Sequence, residues 1–375
     1  MNKKNIASPL YFKVYQDLRE KIQQGRLKLD QRMTENELIN RYQVSRVTIK
    51  KAISHLVREG FLRQIPGLGT FVCSVSPEEE ISPWGKNNRG IGILIPCITF
   101  SLYSGIVRGA EDFLLSRDYY LILGSYDANP EREKTYLEKF VRQGVSGIIV
   151  APSYNSNLAV YQEWLKQKGI PFVLVDTWVP GTECDVVQTN GVKGGYLGTK
   201  YLLNLGCQTI AFLCGHIGGF SNSAFRLQGY RQALTEARIP FEPGLVFEGD
   251  FSQEFGYQTA KKIFSGGRAD GIFSANEPIT RGILQAIEEL PKKARQNIPV
   301  VSFDEISSPA EGFFNLVFVR QPRQLIGQVA AELLLQRIKE KRLKKESKYR
   351  HILLAPEFNS EPAKGRKYCS SVTVD

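Results

Sequence analysis

The stretch VSRVTIKKAISHLVREGFLRQIPGLGTFV, residues 44–72, decides how the rest of the chain is read. Ser45 is placed to cap a helix, its hydroxyl accepting from a first-turn backbone N–H. Val44 before it and Ile49 after it stand at the spacing of a hydrophobic staple. Ile49, Ala52, Ile53, Leu56 and Val57 then repeat as one buried stripe, while Arg46, Thr48, Lys50, Lys51 and Arg58 fall on the opposite side. Gly60 ends the helix. Two short apolar runs flank Pro66-Gly67-Leu68-Gly69, a turn signal. A helix with a cationic outer face, followed by a glycine-tipped hairpin, has the size and charge to enter a DNA groove. Taken alone, the same helix would also serve as the solvated surface of any globular protein.

Its surroundings narrow the choice. Ser8-Pro9 reads as an N-cap and first helical position, and Val14, Leu18 and Ile22 form a stripe that stops at Gly25. Thr34-Glu35-Asn36-Glu37 is a capping box, opening a helix whose Leu38, Ile39 and Tyr42 face inward. Three helices and a wing in 73 residues make a winged helix-turn-helix, with 45–58 as the recognition helix. Over residues 8–72 the sequence resembles the GntR family of bacterial regulators. The matching pieces are Pro9-Leu10-Tyr11, Met33 to Leu38, Val44 to Ala52, and Gly67 to Val72. The resemblance implies that Arg46, Thr48 and Lys50 reach phosphates or base edges, and that Gly69 lets the wing approach the minor groove. The same match assigns Tyr11, Thr34, Asn36, Ser45 and Lys51 to the DNA-facing set. Asn36 and Leu68 stand where the family often has arginine, so the operator sequence does not carry over.

Charge is distributed accordingly. Residues 1–73 hold 14 Lys+Arg against 6 Asp+Glu, most of the chain's formal +11, while the remaining 302 residues are close to neutral. That fits a polyanion-binding head on an ordinary body. A second basic run, Arg337 to Arg350, reads as a solvated helix end and loop rather than a second DNA contact. Six cysteines (73, 97, 184, 207, 214 and 369) show no CxxC and no metal-ligand spacing, which fits a reducing compartment. The N-terminus has no apolar h-region. The uncharged stretches 90–107 and 201–225 are broken by Gly, Pro, Ser or Asn, and read as strand–turn–helix units rather than membrane spans. A cytoplasmic protein with no membrane partner is expected.

Residues 74–89, with two prolines, a glycine and an acid cluster, read as a linker. Beyond it apolar β runs at 91–96, 119–124, 147–151, 171–176, 209–214, 271–274 and 298–303 alternate with helix-length segments. Those lie at about 103–117, 131–143, 157–168, 191–205, 224–237, 253–264 and 278–290. This builds doubly wound parallel sheets, and the length calls for two α/β lobes. Ligands of such folds sit beyond the carboxyl ends of strands. Phe100, Tyr103, Ser125, Asp127, Asp176, Trp178, Asn276 and Asp304 stand there, and Arg226 starts the helix after strand 209–214. Carboxylate, amide and guanidinium groups with aromatic walls suit a sugar. The same Asp and Asn residues could instead cap helices and turns.

Residues 90–362 resemble the two-lobed, periplasmic-binding-protein-like effector domain of the LacI/GalR family. The carrying segments are Gly191 to Gly198, Arg226 to Leu234, Ala269 to Glu277, Val300 to Glu305 and Gln321-Pro322 with Ile326-Gly327. The resemblance implies that Asp176, Arg226, Asn276 and Asp304 hold sugar hydroxyls, that Phe251 is an aromatic wall, and that Gln321 sits at a lobe crossover. Glu277 replaces the family's usual aspartate, and Thr189-Asn190 its usual Asp-Asn. Residues 363–375 are a C-terminal tail.

No catalytic constellation is found: three histidines without metal spacing, no P-loop and no GxGxxG after the first strand. His216, a loop residue, has no nucleophile beside it. The expected protein needs no cofactor and is no enzyme. It is a regulator joining a GntR-type head to a LacI-type sensor, an arrangement shared with arabinose repressors. Expected partners are palindromic double-stranded operator DNA, a second copy forming a homodimer, and a monosaccharide, by analogy a pentose or deoxyhexose. A ligand acting as co-repressor or activator fits the same sequence.

Overall fold

The computed structural model describes residues 9–65, 69–73, 88–152, 156, 158–218, 221–291, 298–306, 315–343, 345 and 347–359. The expected turn at 66–68, most of the linker at 74–89, Ser8 and the tail lie outside them. The chain divides into two compact units, Met1–Asn88 with Arg142–Gly144, and Arg89–Val141 with Val145–Asp375.

In the first unit, helix α1 (Leu10–Gln23) is followed by strand β1 (Arg32–Met33), α2 (Glu35–Tyr42) and α3 (Arg46–Arg58). The hairpin β2 (Leu62–Ile65) and β3 (Gly69–Val72) completes an antiparallel sheet in the order β1-β3-β2. Local chemistry sets these limits. Thr34 and Glu37 form the capping box, each side chain bonded to the other's backbone N–H at 3.3 and 2.9 Å. Ser45 Oγ accepts from the Thr48 N–H at 3.3 Å, and α3 stops before Gly60, whose φ of +83° no branched side chain adopts easily. The stripe of Ile49, Ala52, Ile53 and Leu56 is fully buried against Val14, Leu18, Ile22, Leu38 and Phe61. Val57 is only half-buried.

The second unit has two lobes. Lobe 1 carries β4 (Gly90–Ile95), β5 (Tyr120–Ser125), β6 (Gly147–Val150), β7 (Phe172–Val175), β8 (Asp185–Thr189) and β14 (His351–Leu354) in the order β14-β8-β7-β6-β4-β5. Every pairing in it is parallel. Lobe 2 carries β9 (Ile210–Cys214), β10 (Val246–Glu248), β11 (Gly271–Ser274), β12 (Val300–Phe303), β13 (Leu316–Arg320) and β15 (Glu357–Asn359) in the order β10-β9-β11-β12-β13-β15. Only β15 there is antiparallel. The intervening helices are α4 (Ser101–Leu115), α5 (Pro130–Arg142), α6 (Leu158–Gln167), α7 (Gly191–Asn204), α8 (Asn222–Glu236), α9 (Gln253–Gly266), α10 (Glu277–Glu288) and α11 (Arg323–Arg342). Strands such as Gly147–Val150 and Phe172–Val175 are buried at every position, as sheets covered on both faces require. The chain passes between lobes after β8, after β13 and after β14. At the first two passages the buried Thr189 hydroxyl donates to Gln321 Oε1 at 2.6 Å.

Helices pair at glycines. A Cβ on Gly195 of α7 would overlap the Arg226 carbonyl of α8, and one on Gly229 would overlap the Val192 carbonyl. Gly109 and Gly327 do the same for α4 and α11. The backbones therefore pack nearly in contact, which fixes where α8 carries its side chains. One expectation needs amendment. Arg337 is not solvated: it is buried on α11 and ion-paired to Asp185 at 2.6 Å. The stretch 201–225 is, as expected, the end of α7, then β9, then the start of α8. Among the described residues, no helix is long and apolar enough to cross a membrane.

Candidate effector cleft and nucleic-acid interface

Between the lobes lies a cavity of about 210 Å³, below the roughly 300 Å³ at which drug-sized sites begin; it suits a single ring. Lobe 1 contributes Phe100, Tyr103 and Asp176; lobe 2 contributes Asn222, Arg226, Phe251, Asn276 and Asp304; Gln321 comes from the crossing. Phe100 and Tyr103 stack at 6.4 Å, giving the aromatic side. Asp176 and Asp304 follow the carboxyl ends of β7 and β12, each in left-handed backbone at φ +66° and +78°. Such a conformation costs about 1–3 kcal/mol in a non-glycine residue and gathers at functional sites.

The polar groups converge. Asp176 accepts from the Tyr103 hydroxyl at 3.1 Å and, across the cleft, from Asn222 Nδ2 at 3.0 Å. Arg226 lies over the Phe303 ring at 3.8 Å and donates through Nη1 to the Ala275 carbonyl. It has no carboxylate at ion-pair distance among the described residues, and its buried Nε has no partner. Gln321 Nε2 is likewise buried and makes no close hydrogen bond, but it stands beside Asp304 and helps hold that carboxyl down. Burial raises the Asp176 and Asp304 carboxyls, Asp304 to about 6, and the Arg226 charge partly opposes both shifts. Burial lowers Arg226 in turn, opposed by the two aspartates. Two carboxylates, the orphaned Arg226 Nε and the Gln321 amide thus line one space.

In the first unit, Arg46 and Lys50 are exposed on α3, and Arg46 Nε pairs with Glu35 at 2.6 Å. Lys51 sits over the Tyr11 ring at 4.2 Å, and Tyr11 stacks on His55 at 5.5 Å. Thr34 and Ser45 serve as helix caps, and Thr48 Oγ1 bonds Ser45 Oγ at 2.8 Å. Asn36 is exposed, and Gly69, at φ +121°, packs against Arg32.

Residues 10–72 match the gntR family of bacterial regulatory proteins, and residues 91–295 match the periplasmic binding protein domain. An arabinose metabolism transcriptional repressor of Halalkalibacterium halodurans is 30% identical over 322 residues, spanning 82% of this chain and 84% of its own. The chain belongs to the gntR-type regulators that carry a periplasmic-binding-protein domain. An arabinose metabolism transcriptional repressor of Geobacillus stearothermophilus is 28% identical over 354 residues, covering 91% of this chain and 94% of that one. A LacI-family transcriptional regulator of Enterococcus faecium, solved with bound ribose, superposes with a TM-score of 0.61 at 30% identity, covering 73% of this chain and 97% of that one.

In this gntR-type regulator the cleft gathers Phe100, Tyr103, Asp176, Arg226, Phe251, Asn276, Asp304 and Gln321. Three expected residues lie elsewhere. Ser125 and Asp127 turn to each other at 3.4 Å, and Asp127 is drawn into an ion pair with Arg132 on α5. Trp178 packs on the lobe 1 core and against His351 at 6.2 Å. Asn276 lines the cavity yet also caps α10, its Oδ1 accepting from the Ile279 N–H at 3.0 Å. Asn222 joins the cleft unannounced by the sequence, because α8 starts one turn before Arg226; the Ser221 cap is the signal that could have placed it. His216 also lines the cavity, held by Glu248 at 2.8 Å. On α3, Val47 is exposed within the DNA-facing motif, a position that charge patterning does not mark.

Proposed function

We propose that this regulator is a cytoplasmic homodimeric repressor that releases a palindromic operator when a neutral monosaccharide, a pentose or deoxyhexose, enters the cleft. The division is a head at 1–73, a linker at 74–89, a sensor at 90–362 and a tail at 363–375. The observation that carries the reading is that Asp176, Asp304, the Arg226 guanidinium with its unpartnered Nε, and the Gln321 amide line one cavity. Carboxylates accept from hydroxyls and the Arg226 and Gln321 N–H groups give to them, while Phe100, Tyr103 and Phe251 cover C–H faces. A phosphorylated or carboxylated ligand would meet two aspartates against a single guanidinium, so a neutral polyol is favoured.

Sugar bridging both lobes binds the closed form better, and closure alters how two heads are presented to DNA. Arg46, Lys50 and Lys51 are the phosphate and base contacts of the reading, with Tyr11, Thr34, Asn36, Ser45, Thr48 and Gly69 shaping the surface. Val47 adds an apolar patch that suits a thymine methyl. The test is thermal unfolding of the full chain against a panel of neutral and phosphorylated monosaccharides. A ligand that binds only the native state raises the midpoint; no shift with any neutral sugar would count against the reading.

A further inference from the structure

The sensor carries a second basic surface that the operator-reading helix does not use. Residues 337–350 hold eight Lys+Arg against two Glu, whereas the rest of residues 74–375 sums to a formal charge of −3. A merely solvated loop needs no scaffold, yet this one has a buried one. Arg337 donates through Nε and Nη2 to both oxygens of Asp185, at 2.6 and 2.8 Å. It also donates to Glu340 at 3.0 Å and to the Ser347 and Lys348 carbonyls at 2.9 and 2.8 Å. The Arg350 N–H adds a bond to Asp185 at 2.8 Å. The loop is thereby pinned to the end of α11. Lys339, Arg342, Lys345 and Lys348, all exposed, have no carboxylate at ion-pair distance among the described residues.

Topology places this surface at one edge. The loop leads into His351, the start of β14, and β14 runs parallel to the other strands of lobe 1. It therefore lies at the amino-terminal edge of that sheet. β4 begins at Gly90 on the same edge, so the chain coming from the winged helix enters there. A duplex held by the winged helix is tethered to this edge by the 14 residues between Cys73 and Asn88.

We propose that Lys339, Arg342, Lys345 and Lys348 grip the phosphates of duplex DNA flanking the operator, without reading its sequence. Lysine and arginine on the end of α11 and the loop pinned to it suit a regularly spaced polyanion, and each phosphate neutralised releases condensed counterions. The inference rests on the DNA-binding reading above and extends it to a second contact.

The test uses the full chain and an operator selected from random duplexes. Affinity is measured across salt concentrations on the bare selected site and on the same site extended by about 15 bp of unselected sequence per side, one and a half helical turns. The wild-type chain is expected to bind the extended duplex more tightly and with a steeper salt dependence. Combining Lys339→Gln, Arg342→Gln, Lys345→Gln and Lys348→Gln is expected to remove that gain, with the slope falling by about 0.9 for every phosphate no longer neutralised. Binding to the bare site and the unfolding midpoint should stay as in the wild type, and Arg at the three lysines should keep the gain. An equal flank gain and slope in the Gln variant would overturn the proposal, as would an equal loss on both duplexes. A wild-type chain that grips no duplex would sink the DNA-binding reading itself.

Discussion

Glu277 joins the lobes through Ser101: its Oε2 accepts the Ser101 hydroxyl at 2.9 Å and the Ser101 backbone N–H at 3.3 Å, at the first turn of α4. Its other oxygen pairs with Arg281 at 2.7 Å. An aspartate, one methylene shorter, would fall short of this span, so the residue change alters how closure is held. A hydrogen bond to a charged group contributes about 1.5–3 kcal/mol. Glu277→Gln is therefore expected to weaken sugar binding about tenfold or more while leaving operator affinity without sugar unchanged. Calorimetric titration checks it; an unaltered sugar affinity would show that the strut does not bear on closure.

Sugar binding should depend on pH through Asp304. Its carboxyl is raised by burial to about 6, so the folded protein takes up a proton that the unfolded chain, with a lower carboxyl pKa, does not bind in the same window. Between the ordinary carboxylate range and about pH 6, rising pH therefore costs the ligand-free protein stability. A hydroxyl donated by sugar favours the ionised form, so affinity should fall as pH drops below about 6. Asp304→Asn is expected to weaken binding at neutral pH and to flatten this profile. A wild-type affinity independent of pH from 5 to 8, on the order of the window spanned by these shifts, would remove Asp304 from the ligand's contacts.

Arg226 depends on a glycine it does not touch through its side chain. Gly195→Ala would drive a methyl into the Arg226 carbonyl, and overpacking of this kind costs about 1–3 kcal/mol. The variant is expected to unfold at lower temperature and to bind sugar more weakly. Ser125→Ala, outside the cavity lining, should do neither. Isothermal titration and unfolding curves separate the two.

On the winged helix, Glu35 holds Arg46 at 2.6 Å and places a negative charge beside the expected phosphate contact. Glu35→Gln is expected to tighten operator binding severalfold. Arg46→Ala and Lys50→Ala should weaken it, each lowering the salt slope by about 1 if its cation neutralises one phosphate. Unchanged slopes in both would take them out of the interface.

Much of this is legible in the sequence because it is local. The Thr34 and Ser45 caps, the Ile49 to Leu56 stripe and the parallel-strand runs follow from short-range spacing. The remainder depends on distant partners. Strands β8, β10, β13, β14 and β15 and helix α11 fall outside the expected runs: β8 follows β7 and β15 follows β14 with no helix between, and the chain there passes repeatedly between lobes. Arg337 reads as one more surface cation, since Asp185, which buries it, is 152 residues away. Asp127 and Trp178 stand at strand ends as cleft residues do, but Arg132 and the lobe 1 core claim them. Which strand-end residue faces inward is set by the local twist and by its neighbours, not by its position alone.

The most direct measurement is operator affinity of the full chain, by fluorescence anisotropy at fixed salt, as neutral monosaccharides are titrated in. At least one is expected to lower it by about 5–150-fold, the usual range of coupling between sites, and Arg226→Ala should abolish the effect without changing affinity in the absence of sugar. Operator affinity that no neutral monosaccharide alters would contradict the coupling of cleft to DNA.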